Sequence, residues 1–135
     1  MQKGKVPAFL RRFIPPSVAH MRVGKEGERL AVRFLKHEGL HIVARNVRIG
    51  RDEIDVIAKD PVDDVLVFLE VKSRSHSDSD FPAMMSAGPT KMRKILRAAR
   101  RWIADHEYEG GYRIDLLCIE GGKVVHYLRE VSWER

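Results

Sequence analysis

The sequence predicts a mixed α/β domain, one sheet of about five strands flanked by helices in the order α-β-β-β-α-β-β. Three observations predict it. Two stretches repeat apolar residues at the helical period, five short runs are rich in Val and Ile, and turn formers fall between them. The first helix is expected over roughly Arg22 to Glu38, where Val23, Gly27, Leu30, Ala31, Phe34 and Leu35 share one face and Gly39 provides a stop. Strands follow at about 41–48, 53–59 and 65–73, punctuated by Gly50 and Asp60-Pro61. Ser73 to Pro89 reads as a loop of Ser, Asp, Pro and Gly. A second helix runs from about Pro89-Thr90 to His106, Gly110-Gly111 ends it, and strands at about 112–119 and 123–130 are joined through Gly121-Gly122. Three consecutive strands make a meander, and the second helix can serve as the crossover that lays a later strand parallel to an earlier one.

Composition narrows the class. A chain of 135 residues fits one domain able to bury roughly two thirds of its unfolded surface. Cys118, the only cysteine, lies within Ile114-Asp-Leu-Leu-Cys-Ile119 and reads as a buried strand thiol in a reducing, cytoplasmic setting. The longest apolar runs, such as Val65–Leu69, fall far short of the roughly twenty residues that span a bilayer, so no membrane span or signal peptide is expected. Of the net charge of +6, Lys3, Lys5, Arg11, Arg12 and Arg22 contribute five within residues 1–22, which hold no acid; the first is Glu26. Residues 1–22 are therefore read as a basic, extended arm, either a solvated tail or a source of sequence-independent attraction to phosphates. Residues 23–135 form the single domain.

The chemistry concentrates where acids interrupt apolar strands. Unpaired charge in such a strand costs several kcal/mol, so something must compensate it. The strand period of two sets Glu70 and Lys72 on one face, about 6–7 Å apart, and the short turn from Asp60 to Asp64 can bring Asp55 beside Glu70, in a register the sequence leaves open. Two adjoining carboxylates repel unless one protonates or a cation bridges them. Oxygen ligands of this kind suit Mg²⁺ or Mn²⁺, and the backbone carbonyl of Val71 can complete the set. Zinc is not expected, because the six histidines are scattered without ligand spacing. Beside a carboxylate-held cation, Lys72 can orient a water and stabilise developing charge, which points to phosphodiester hydrolysis. The competing reading is a salt bridge of Asp55, Glu70 and Lys72 at a sheet end. Glu28, at the border of the buried stripe of the first helix, either leans toward the sheet or pairs outward with Arg29 or Arg33; Gly24 and Gly27 would let that helix approach closely.

The second helix divides cleanly. Met92, Ile95, Leu96, Ala99, Trp102 and Ile103 fall in the core-facing arc, and Arg93, Lys94, Arg97, Arg100 and Arg101 in the opposite one. Cations without interleaved acids suit phosphate contact, and equally a soluble exterior.

These residues resemble a known family. Gly24-x-x-Gly27-Glu28, Arg45-Asn46, Glu53-Ile54-Asp55, Glu70-Val71-Lys72-x-Arg74, Lys91 and Arg113-x-Asp115 are together similar to the bacterial YraN-like family of endonuclease-related proteins, over roughly residues 23 to 133. The resemblance implies the restriction-endonuclease-like fold of the PD-(D/E)xK superfamily, closest to archaeal Holliday-junction resolvases. It implies Asp55 and Glu70 as metal ligands, Lys72 as the catalytic lysine, and Glu28 as a supporting acid that reaches the metal through water. Arg74 and Lys91 would contact substrate or support the site, and Asp115 would belong to the scaffold with Arg113. One departure stands out: Asp52 occupies the position before Glu53 where the family usually has glycine. The implied activity is Mg²⁺- or Mn²⁺-dependent cleavage of branched or flap-like DNA by a cytoplasmic homodimer. A catalytically silent nucleic-acid-binding module and a protein-interaction adaptor on the same fold are the alternatives.

Overall fold

The computed structural model describes residues 16–74 and 89–131. The elements are α1 (Pro16–His37), β1 (His41–Ile49), β2 (Asp52–Asp60), β3 (Val65–Arg74), α2 (Pro89–Asp105), β4 (Gly111–Glu120) and β5 (Lys123–Leu128). This is the expected mixed α/β order. Helix α1 begins at Pro16, six residues before the expected start at Arg22, so the last part of the expected arm belongs to the helix. Proline is favoured at a first helical position, where its missing N–H would be unbonded anyway. The remainder of the arm, residues 1–15, and most of the expected loop, residues 75–88, lie outside the described residues.

Helix α1 ends where a left-handed residue is available. Gly39 has φ +93°, and the turn closes through Gly39 N–H to the Lys36 carbonyl (3.0 Å) and Leu40 N–H to the Leu35 carbonyl (3.0 Å). The sheet order is β1-β2-β3-β4-β5. Strands β1, β2 and β3 form the antiparallel meander, α2 crosses over, and β4 lies parallel to β3 from Val65 opposite Gly111 to Arg74 opposite Glu120. Strand β5 returns antiparallel on β4, and beyond it Val131 N–H bonds the Ile114 carbonyl at 2.7 Å.

Strand alternation sorts the core into two faces. On the α1 side, Ala31, Val32 and Leu35 pack over Val56, Ala58, Val67, Leu69, Leu117 and Ile119. On the α2 side, Met92, Ile95, Ala98 and Ala99 cover Ile57, Leu66, Phe68, Ile114, Leu116 and Cys118. Each such burial contributes about 1.5–3 kcal/mol for the larger aliphatic and aromatic side chains. The even-numbered residues of β3 therefore point toward α2, and this face carries Glu70 and Lys72. Cys118 is buried here as a free thiol, pushed up to about 11 by its burial. Among the described residues, no helix is long and apolar enough to cross a membrane.

Candidate functional site

The site begins with a turn far from it. Asp60 Oδ1 accepts the N–H groups of Val62 (2.9 Å) and Asp63 (3.3 Å), and Asp64, at φ +60°, closes the turn through its N–H to the Asp60 carbonyl. The other oxygen of Asp60 receives Arg113 at 2.9 Å and Arg129 at 3.0 Å. Burial pushes the Asp60 carboxyl up, but the Arg113 bond and the turn amides outweigh it and hold the group below its ordinary value. Arg113 also bonds Asp115, whose carboxylate takes Tyr127 Oη (2.6 Å) and Glu130 N–H (2.9 Å), so Asp115 does belong to a buried scaffold with Arg113. This network pins Asp60 opposite Val65, and every pair up to Val56 opposite Leu69 follows from it.

The next step along that register brings Asp55 toward Glu70, and here the strands stop pairing. Asp55 Oδ2 instead accepts the Val71 N–H at 2.7 Å. Glu70 shares the alternation of Phe68 and faces α2. Asp55 sits where the alternation of β2 breaks, since Ile54 and Ile57 both join the α2-side cluster while Val56 joins the α1 side, and it lies close enough to Glu70 and Lys91 to feel their charges. Glu70 is 7% exposed. Burial, and then the charge of Glu70, push the Asp55 carboxyl up to about 7 against the pull of the Val71 amide.

Two ammonium groups meet Glu70. Lys72 Nζ lies 3.5 Å and Lys91 Nζ 3.6 Å from the same oxygen, Oε2. Burial lowers the pKa of Lys72, and Lys91 adds to that while Glu70 opposes it. Lys91 reaches the site from the first turn of α2, so a residue quoted only for its resemblance is joined to the strand acids in space. Arg74 ends β3 on the same face as Glu70, and its carbonyl accepts Gly121 N–H at 3.0 Å.

Glu28 arrives from the opposite side of the sheet. Gly27 makes this possible, because a Cβ there would stand 2.8 Å from Ser73 Cβ and 2.9 Å from its Oγ. Bare of a side chain, α1 settles against the end of β3. Glu28 Oε2 is buried without a hydrogen-bond partner, a costly state for a carboxylate oxygen. Among the described residues no three His, Cys, Asp or Glu side chains converge into a complete metal cage. The donor set is two adjacent carboxylates, Asp55 and Glu70, with the Val71 peptide beside Asp55. Such a set fits a hard divalent ion that keeps several waters, Mg²⁺ or Mn²⁺, and a 2+ charge would favour the ionised Asp55 that burial and then the Glu70 charge disfavour.

The expected cationic face of α2 is present, with Arg93, Lys94, Arg97, Arg100 and Arg101 all exposed. Its members are not equivalent. Arg97 makes a two-pronged bond to Asp52 (Nε to Oδ2 3.0 Å, Nη2 to Oδ1 2.9 Å), and Arg101 lies 3.6 Å from Asp105. The acid at the departing position 52 thus has a partner on α2, which with nearby Arg51 and Lys94 holds its carboxyl below the usual range. Sequence reasoning gave Asn46 no role of its own. The register around it sets Asn46 across from Asp55, at φ +52°, a conformation that asparagine tolerates better than most residues. The only sequence signal was the Arg45-Asn46 pair within the family pattern.

Comparison with known proteins places this arrangement in a family. The chain is 38% identical to a UPF0102 protein of Streptomyces griseus over 116 residues, covering 82% of this chain and 95% of the relative. It is 40% identical to one of Streptomyces coelicolor over 117 residues, 82% of this chain and 88% of the relative. A Campylobacter fetus UPF0102 protein is 34% identical over 110 residues, 82% of this chain and 93% of the relative. The family model matches residues 27–119, a span that holds Glu28, Asp55, Glu70, Lys72 and Lys91. The chain belongs to Uncharacterised protein family UPF0102, to which its sequence motifs pointed.

Proposed function

We propose that this protein is a Mg²⁺- or Mn²⁺-dependent endonuclease that hydrolyses phosphodiester bonds in structured DNA, branched or flap-like. The observation that carries the reading is the juxtaposition of Asp55 with buried Glu70, and of Lys72 with Glu70 Oε2. Two acids brought together in a half-dry place make a poor structural salt bridge and a good cation seat. When bound, the divalent ion supplies electrophilic polarisation of the phosphate and a more acidic water. Asp55 and Glu70 hold it, with Glu28 in support. Lys72 donates toward the attacking water and the phosphate oxygens, stabilising the charge that grows in the transition state. Burial lowers its pKa, so it parts with a proton more readily than a solvated lysine does. Arg74, Lys91, Lys94 and Arg100 are the cations we assign to the DNA backbone. The preference for branched shapes, and a homodimer that presents two sites, rest on the resemblance to junction resolvases.

A second reading has one specific observation in its favour. Glu70 already has two ammonium partners, so the cluster can be a satisfied salt bridge in a nucleic-acid-binding module that performs no chemistry. One assay separates the two. Purified protein is incubated with single-stranded, duplex, flap and four-way-junction DNA in Mg²⁺, Mn²⁺ or EDTA, beside Glu70→Ala. The nuclease reading expects metal-dependent cleavage that the variant loses by a hundredfold or more, on the order of a lost ligand or oxyanion-type contact. Salt-sensitive binding without cleavage of any substrate, unchanged in Glu70→Ala, would establish the binding module instead.

A further inference from the structure

We infer that Lys91 is a resident counter-ion of Glu70 that leaves this carboxylate when a divalent ion enters and moves to the substrate phosphate, so that metal loading and DNA binding are coupled through one side chain. The inference rests on the metal-dependent reading of the Asp55 and Glu70 site. Its starting point is that Lys72 and Lys91 approach one oxygen, Glu70 Oε2, at 3.5 and 3.6 Å. Both separations exceed those of short charge-assisted hydrogen bonds, so each contact is a charge pairing that can be broken without losing a directional bond. The two lysines differ in freedom. Lys72 stands on a central strand with its side chain 18% exposed, whereas Lys91 extends from the first turn of a helix with its side chain 46% exposed.

Charge decides which of them moves. With Asp55 ionised, as at about pH 8, Asp55 and Glu70 carry two negative charges against the two positive ones of Lys72 and Lys91, and the cluster is balanced. A divalent ion seated on the same carboxylates leaves two positive charges in excess. The side chain with the shortest path to water relieves that excess at least cost, and this is Lys91. A phosphate oxygen arriving at the site then restores balance and offers the ammonium a new partner. Lys72 keeps its place, held by the strand beside Cys118. Lys91 thus makes the vacant site resist metal and the loaded site attract phosphate, which is positive coupling between the two ligands.

The test uses Mn²⁺ alone, titrated calorimetrically into the full chain, its Lys91→Met variant and its Lys91→Arg variant at about pH 8, where proton competition at Asp55 is small. Lys91→Met is expected to tighten Mn²⁺ about fivefold, the size of a partly exposed charge pair, and Lys91→Arg to return toward the parent value. A labelled flap duplex, followed by fluorescence anisotropy at fixed salt, should bind the parent more tightly in Ca²⁺ than in EDTA, a gain that Lys91→Met loses. Equal or weaker Mn²⁺ binding by a Lys91→Met protein that melts like the parent overturns the inference and leaves the metal site standing. Failure of the parent itself to take up Mn²⁺ overturns both this inference and the metal-dependent nuclease reading.

Discussion

At neutral pH the Asp55 carboxyl is divided between its two protonation states, because burial and the Glu70 charge raise it from 3.8 to about 7 while Lys91 and the Val71 amide pull the other way and Glu53 adds a smaller push upward. The consequence for stability follows from proton counting. Between pH 3.8 and about 7 the folded chain holds a proton on Asp55 that the unfolded chain has released, so the folded state is favoured least at high pH. The penalty is absent below the unfolded value, grows through that window and is complete above about 7, on the order of 4 kcal/mol. A bound divalent ion removes it by favouring the ionised form. Urea unfolding in EDTA should therefore show the parent losing stability relative to Asp55→Asn as pH rises from 5 to 8, with Mg²⁺ restoring the parent at pH 8 and doing little at pH 5. A pH-independent gap between the two proteins would mean that Asp55 is not strained by its neighbour, and would remove the main electrostatic support for a cation there.

The elements that carry the site depend on how closely α1 meets β3. Gly27→Ala would place a methyl group 2.8 Å from Ser73 Cβ, inside any real contact distance, although alanine is the better helix former by about 1 kcal/mol. Overpacking of this kind costs about 1–3 kcal/mol, so Gly27→Ala is expected to destabilise by up to about 2 kcal/mol net and to move Glu28 off the end of the sheet. Ser73→Gly in the same chain should recover most of that loss, a coupling readable in a double-mutant cycle by urea unfolding. Additive effects would show that α1 yields without strain. The close approach itself was legible, because glycine within an amphipathic helix invites another backbone. So were the strands and the crossover helix, since their periods are local properties of the chain. The register that joins Asp55 to Glu70 was not legible, because it is set by Asp60 and by Arg113 and Arg129, far along the sequence, which hold the Asp60 turn. The early start of α1 at Pro16 was missed for a related reason: Pro15-Pro16 looks the same at the end of an arm as at the entrance to a helix.

At the scale of the whole molecule the proposed function requires one surface to meet nucleic acid, and counting cations does not identify it. The helical wheel put five basic residues on one face of α2, but it could not see that Asp52, at the entrance to β2, claims Arg97 with both oxygens, or that Arg101 lies within reach of Asp105. Each phosphate neutralised contributes a slope of about 0.9 to the fall of log affinity with log salt, so a guanidinium spent on a protein carboxylate should be missing from that slope. Asp52→Asn keeps the size of the side chain, removes its charge and leaves Arg97 to solvent. If the α2 face is the DNA-binding surface, Asp52→Asn should bind duplex and branched DNA more tightly and with a salt slope steeper by up to about 0.9, while Lys94→Ala makes the slope shallower. Slopes measured by anisotropy that respond to neither change would move the contact surface away from α2, because no rearrangement of the same face could hide both a gained and a lost phosphate contact. The Asp52 to Arg97 pair would then be a structural tie between the β1–β2 turn and the crossover helix, and the DNA would have to approach Glu70 and Lys72 from the side of Arg74.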